Sequence, residues 1–285
     1  MPVMSIIACG MLEDELVYVL SKDREIRQLI VLENRDNSGF LRKLKLKNCT
    51  PRTVFLDRVP ILLKDWEKSN FRVPAKFLSL FPFFRKMLEK RKWREEKKVT
   101  VVVNLLRLGL HSDLELLKAE VYKNIREMAP FSDKILIFYG TCGHTLGKIR
   151  EDFAALGCPL YFLKDKNGEI IEDCISLSLG GNEAYARAMI EFRGKGTIYL
   201  TPMWASSWKR LENEGESRDF NNNFLKNPLY CLAAKIDTGM GNNQEFDENV
   251  KDFACTFDMK IRDLKGNMEV AEHSYLAARN SVAEE

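Results

Sequence analysis

Residues 99–106, Val-Thr-Val-Val-Val-Asn-Leu-Leu, form an almost unbroken run of β-branched and aliphatic side chains. Such a strand is apolar on both sides of its pleat and has to be covered on both faces, as central strands of parallel sheets are. The run therefore argues against an all-helical chain and against an antiparallel sandwich with one wet face.

The flanking sequence agrees. Met4-Ser-Ile-Ile-Ala-Cys-Gly10 reads as a short strand ending in a turn. Leu12, Leu16, Val19 and Leu20 then recur at helical spacing, with Glu13, Asp14 and Glu15 suited to a helix's first turn. Arg27–Leu32 reads as the next strand, and the polar cluster 33–39 as a turn that leaves the sheet. Beyond the central run come a helix lined by Leu114, Leu117, Val121 and Ile125, a strand at 134–138, a helix at 148–156 and a strand at 159–163. The alternation resumes with a helix at 183–192, a strand at 196–200, a strand at 229–236, a helix at 245–257, a strand at 259–264 and a last helix from Met268.

This alternation predicts an α/β fold: a mostly parallel sheet with helices on both faces. The 285 residues make either one continuous domain or two Rossmann-like lobes, 1–163 and 164–285. The first lobe would carry a basic insertion at about 41–98, where 18 Lys and Arg face 6 Asp and Glu, leaving the rest of the chain net acidic. Within it, Pro74–Trp93 interleaves aromatics with cations, a pattern suited to an acidic protein or a lipid headgroup, with nucleic acid disfavoured. The simpler reading is a solvated face whose aromatics pack inward. Seven irregularly spaced cysteines, with no charged-then-apolar leader, suggest a reducing compartment and a cytoplasmic protein. No apolar run approaches the roughly 18 residues of a membrane-spanning helix.

In a parallel sheet the turns after the strands converge on one rim, where ligands bind. Here those turns are Cys9-Gly10, the His111 turn, Gly140-Thr-Cys-Gly143, Thr201-Pro202 and Asp237-Thr-Gly239, and Cys174 lies in a loop able to join them. Cys9, Cys142 and Cys174 are the candidate metal ligands, with His111 or His144 as a fourth; soft sulfur with imidazole suits zinc or an iron–sulfur cluster. Gly10, Gly140, Gly143, Thr201 and Asp237 are the candidate cofactor-binding positions. Thr201, Trp204 and Trp208 either wall a pocket or belong to the core. Cys49, Cys158, Cys231 and Cys255 read as packing residues. No Gly-x-Gly-x-x-Gly follows a strand and no P-loop is present, which disfavours dinucleotide and P-loop nucleotide chemistry. A Cys142–His144 nucleophile pair is a further option.

Ser5–Gly10, the Leu-x-His turn at His111, Phe138-Tyr-Gly-Thr-Cys-Gly143, Asp173-Cys174 and Gly196–Thr201 together resemble the domain-of-unknown-function family 1638. The resemblance covers most of the chain outside the basic segment. Thr141 stands where the family usually has Asp, and Asp173 where it commonly has His. Members occur in methanogenic archaea and related anaerobes, often beside corrinoid-dependent methyltransferase genes. The family has no settled activity, so the resemblance implies a site and a setting; joined to the thiol set above, that setting gives the expectation of a metal- or iron–sulfur-binding accessory protein working with corrinoid methyl transfer. Its partner would be an acidic corrinoid protein or methyltransferase, which would supply any corrinoid. The alternative is a metal- or cysteine-dependent enzyme acting on a small substrate at the rim.

Overall fold

A computed structural model describes residues 2–34, 37–69, 98–213, 229–240 and 243–283. The aromatic and basic stretch Pro74–Trp93 lies outside the described residues.

The elements run β1 (Val3–Cys9), α1 (Glu13–Lys22), β2 (Ile26–Leu32), α2 (Ser38–Leu46), β3 (Arg52–Val54), α3 (Val59–Ser69), β4 (Val99–Leu106), α4 (Leu114–Met128) and β5 (Lys134–Phe138). They continue with α5 (Ile149–Asp152), β6 (Leu160–Phe162), α6 (Cys174–Leu179), α7 (Asn182–Glu191), β7 (Gly196–Leu200), α8 (Pro202–Asn213), β8 (Tyr230–Asp237), α9 (Asn243–Thr256), β9 (Lys260–Lys265) and α10 (Glu269–Ala283). Six strands form one sheet in the order β3-β2-β4-β1-β5-β6, and three form another in the order β7-β8-β9. All their pairings are parallel.

Strand alternation explains the layers. On β1, Met4, Ile6 and Ala8 enter one core together with Leu16 and Leu20 of α1 and Tyr275 and Ala278 of α10. Val3 and Ile7 enter the opposite core with Val121 and Ile125 of α4. β4 is buried along its whole length, as its two-faced apolar pattern requires. In the smaller sheet, Leu200 and Ala233 pack against Trp208 of α8 and Phe246 and Phe253 of α9. Ile236 and Leu232 face the other way, toward Ile175 of α6 and Phe192 after α7. The last helix thus returns to the large sheet, and α6 and α8 each pack toward both sheets, α6 through Leu177 and Ile175 and α8 through Met203 and Trp208.

Three expectations are corrected. The cluster at 33–39 does not take the chain out of the sheet: α2 starts at Ser38, and β3 comes back beside β2. The basic segment therefore contributes an edge strand and Lys43, whose ammonium lies 2.9 Å from Glu13 and 2.7 Å from Asp14. The expected helix at 148–156 is regular only over Ile149–Asp152, after which i to i+3 bonds such as Ala154 N–H to the Glu151 carbonyl tighten the chain. Cys174, expected in a loop between elements, opens helix α6. Among the described residues no helix is long and apolar enough to cross a membrane.

Candidate functional site

β4, β1 and β5 are adjacent in the large sheet, so the turns after them emerge side by side at its carboxyl edge. Glycine makes the close approach possible. A Cβ on Gly10 would stand 2.9 Å from the carbonyl oxygen of Leu106. On Gly140 it would stand 2.6 Å from both Asp173 N and Glu172 O, a contact no side chain tolerates. In that gap Thr141 N–H donates to the Ile171 carbonyl (2.9 Å) and Cys142 N–H to the Glu172 carbonyl (2.8 Å). This short ladder ties the β5 turn to the start of α6. There the Asp173 carboxylate accepts from Ile175 N–H (2.9 Å) and Ser176 N–H (2.8 Å), which places Cys174 in the first turn.

These turns enclose a cavity of ≈ 290 Å³ whose wall includes Cys9, Cys142, Cys174, Tyr139, Asp173, His111, Gly140, Gly143 and Trp204. Met11, Leu12, Leu110, Leu114 and Ile175 supply its apolar surface, and among the described residues no lysine or arginine lines it. Trp204, from the first turn of α8, closes the side toward the small sheet, its ring 5.6 Å from that of His111 and tilted by 60°.

The structure thus brings together Cys9, Cys142, Cys174, His111, Gly140 and Gly143 of the expected set, and leaves the others out of the wall. His144 is exposed, because Cys142, Gly143 and His144 all have positive φ (45°, 67° and 66°) and the turn directs the imidazole outward. Thr201 is buried as the cap of α8, accepting from Trp204 N–H at 3.3 Å. Asp237 is used locally as well, accepting from Gly239 N–H at 2.8 Å. Gly10 serves the packing of two turns. Trp208 belongs to the core, edge-on to Phe253 at 5.5 Å.

The three thiols share an environment. Burial, the largest cause, raises the Cys9 thiol to about 11, reinforced by the Glu15 charge, while the Met11 N–H, the nearby Tyr139 hydroxyl and the Leu12 N–H oppose the rise. Burial likewise raises Cys142, reinforced by Cys9 and Asp173, with Gly140 N–H opposing. Cys174 rises for the same reason, reinforced by Asp173, Cys9 and Cys142, while the indole N–H of Trp204 donates toward its sulfur. Cys142 and Cys174 therefore feel the charge of another thiol, Cys9 feels that of Glu15, and each of the three has an N–H donor directed at it. All seven cysteines are free thiols.

Two groups escaped the sequence reading. Tyr139, 2 % exposed, turns its hydroxyl toward Cys9 and Cys142, where it meets no partner at hydrogen-bond geometry. Its signal lay in strand parity, since Ile135, Ile137 and Tyr139 share one core. Glu15 is 1 % exposed, with Oε1 3.3 Å from the Ser178 hydroxyl and Oε2 unpartnered. Burial, then the Asp14 charge, pushes its carboxyl up to about 8, so it is largely neutral at pH 7.

Among the described residues no three His, Cys, Asp or Glu side chains already stand in a metal-holding arrangement. The donor chemistry suits a soft metal. Holding one would require either rotation of the cysteine side chains onto a single ion or a cluster that spans wider spacing than Zn–S bonds of about 2.3 Å allow.

A family model described as "Protein of unknown function (DUF1638)" matches residues 105–275. The match includes His111, Cys142, Cys174 and Trp204 and leaves out Cys9. No curated protein and no solved structure matches the chain.

Proposed function

The chain belongs to the DUF1638 family, whose description assigns no activity, and on that premise we propose that its cysteine pocket holds a soft metal ion or an iron–sulfur cluster. One observation carries this reading: three thiols from three separate turns line one cavity in whose wall no lysine or arginine stands among the described residues. Buried thiolates without a counter-charge are costly, and burial keeps these thiols neutral. Yet N–H groups are directed at the sulfurs, an arrangement of greatest value when the sulfur is anionic. A bound cation resolves the conflict, since metal binding displaces thiol protons.

Cys9, Cys142 and Cys174 would hold the group, with His111 at the mouth as the nearest imidazole. When bound, it supplies either electron transfer or Lewis acidity. The chain's own part is to exclude water with Met11, Leu12, Leu110 and Ile175, to donate N–H groups toward sulfur, and to shield the site with Trp204. Hydrogen bonds to sulfur and exposure to solvent are what tune a cluster's potential.

In the accessory role, the protein would serve corrinoid-dependent methyl transfer in a reducing cytoplasm, with the basic segment 41–98 meeting an acidic corrinoid protein or methyltransferase. That setting rests on the family resemblance and the charge distribution. Mixing the two proteins at rising ionic strength tests it: binding should weaken steeply up to about 0.15 M salt, where exposed charges are screened over roughly 8 Å. Binding indifferent to salt counts against the charged contact. The metal reading is tested by purification without oxygen followed by metal analysis and visible absorbance. Brown protein with bound iron identifies a cluster, and colourless protein with one zinc identifies a single-ion site. Folded protein that takes up neither refutes it.

A second reading, an enzyme that binds a small substrate in the same cavity, is favoured by the unpartnered Tyr139 hydroxyl.

A further inference from the structure

We propose that the cavity binds a small organic cation, an amine in its ammonium form with an apolar body, and that the Asp173 carboxylate is its counter-ion. The inference rests on the small-substrate reading of the cavity, gives that substrate a chemical class, and needs no metal.

The charge balance of the wall points to a cation. Asp173 stands in that wall, half-buried, at the start of α6. Its Oδ1 accepts both capping bonds, from Ile175 N–H at 2.9 Å and from Ser176 N–H at 2.8 Å. Oδ2 takes part in neither, and among the described residues no cationic side chain pairs with the carboxylate. The charge that acts on Asp173 is that of Glu172, exposed beside it and of the same sign. Burial keeps the three thiols neutral, which leaves Asp173 as the anionic group of the wall among the described residues. A carboxylate withdrawn from water without an opposite charge is costly, so a cationic ligand supplies what the free protein lacks. The cap offsets part of that cost at Oδ1 and leaves Oδ2 to the ligand.

The remaining wall selects an organic cation. Tyr139 and Trp204 contribute aromatic rings, and the negative face of such a ring attracts a desolvated cation within about 6 Å. Met11, Leu12, Leu110 and Ile175 suit an alkyl body. The cavity of ≈ 290 Å³ far exceeds one ion and has room for a molecule of several carbon atoms. Anions are opposed by Asp173 and Glu172, and they meet no lysine or arginine in the wall among the described residues. An ammonium that donates to Oδ2 and lays its carbon body on the apolar side satisfies both halves of the site. Binding makes and breaks no covalent bond.

The test titrates the full chain, in metal-free buffer near neutral pH, with probes of nearly equal shape and different charge: cyclohexylammonium, cyclohexanol and cyclohexanecarboxylate, each followed by calorimetry. The wild-type protein should bind the ammonium at least about tenfold more tightly than the alcohol, the effect of one charge-assisted hydrogen bond, and the carboxylate most weakly. Asp173→Asn keeps a good helix cap and the shape of the wall. It should bring the ammonium down to the affinity of the alcohol and leave the alcohol unchanged. The comparison within the wild type needs no variant, so it decides the matter even where Asp173→Asn fails to fold. Equal affinity for ammonium and alcohol in the wild type, or a preference for the ammonium that survives in Asp173→Asn, overturns the proposal, while binding of the alcohol keeps the small-substrate reading standing. Binding of none of these probes refutes the inference and the small-substrate reading together.

Discussion

The carboxyl edges of the two sheets carry similar residues, polar side chains and glycines just after apolar strands, yet use them differently. At the small sheet the Thr201 hydroxyl caps α8 by accepting from Trp204 N–H, and Asp237 closes a turn by accepting from Gly239 N–H. Both side chains are engaged within three residues of themselves. At the large sheet Cys9, Cys142 and Cys174 come from three turns, Cys9 acts by its charge on the other two, and all three border a hydroxyl without a partner at hydrogen-bond geometry. The difference teaches a criterion: polar groups at strand ends point to a site when their local hydrogen bonding leaves them unused and neighbouring turns converge on the same space.

That contrast can be broken by substitution. The largest effect is expected for Gly140→Ala, whose Cβ would meet backbone at 2.6 Å. It should cost about 4 kcal/mol or more in urea unfolding, since neither the β5 turn nor the start of α6 can yield alone. A loss below about 1 kcal/mol would show that the two turns are not locked together.

Glu15 comes next. Its folded carboxyl, raised to about 8, stays protonated while the unfolded chain ionises. Folded protein then binds more protons than unfolded, so stability falls as pH rises from the unfolded value near 4.5 and levels off above 8. The groups facing it include Asp14, Cys9, Ser178 and the more distant Lys43. Glu15→Gln should remove roughly 3 kcal/mol of the decline between pH 5 and 8, read from denaturant midpoints across that range. Parallel pH profiles for the two proteins would contradict this. Thr201→Ala should cost about 1 kcal/mol, as loss of a helix cap does, and leave metal uptake unchanged. Lost metal would place Thr201 in the site after all. The smallest effect belongs to Tyr139→Phe, which removes an unpartnered hydroxyl and should leave stability unchanged or raise it by about 1 kcal/mol. A clear loss in thermal melting would reveal a partner for Tyr139 within the folded chain.

Much of the architecture was legible because apolar runs report burial directly: β7 occupies Gly196–Leu200 as expected, and β4 is covered on both faces. The edge strand β3 was not, since it has three residues, none fully buried, inside a basic stretch that reads as a solvated face. Cys9, Cys142 and His111 were legible as breaks at strand ends and Cys174 as a loop residue able to join them, and topology carried all four to one cavity. His144 misled because sequence spacing carries no direction, and three positive φ angles in succession turned it to solvent. Glu15 was hidden because acids in a helix's first turn are ordinarily solvated. Here α1 is buried between the large sheet, α2 and α10, and the carboxyl has no water to meet.

The central claim is that Cys9, Cys142 and Cys174 form one site, and the most direct measurement is metal bound per chain, without oxygen, in single serine variants of each. The account predicts that Cys9→Ser, Cys142→Ser and Cys174→Ser each lose the same metal, with at least about tenfold weaker binding. Cys231→Ser, on β8 and outside the cavity wall, should keep it in full. Full metal content in any one of the three, in protein that folds as the parent does, would contradict a shared site.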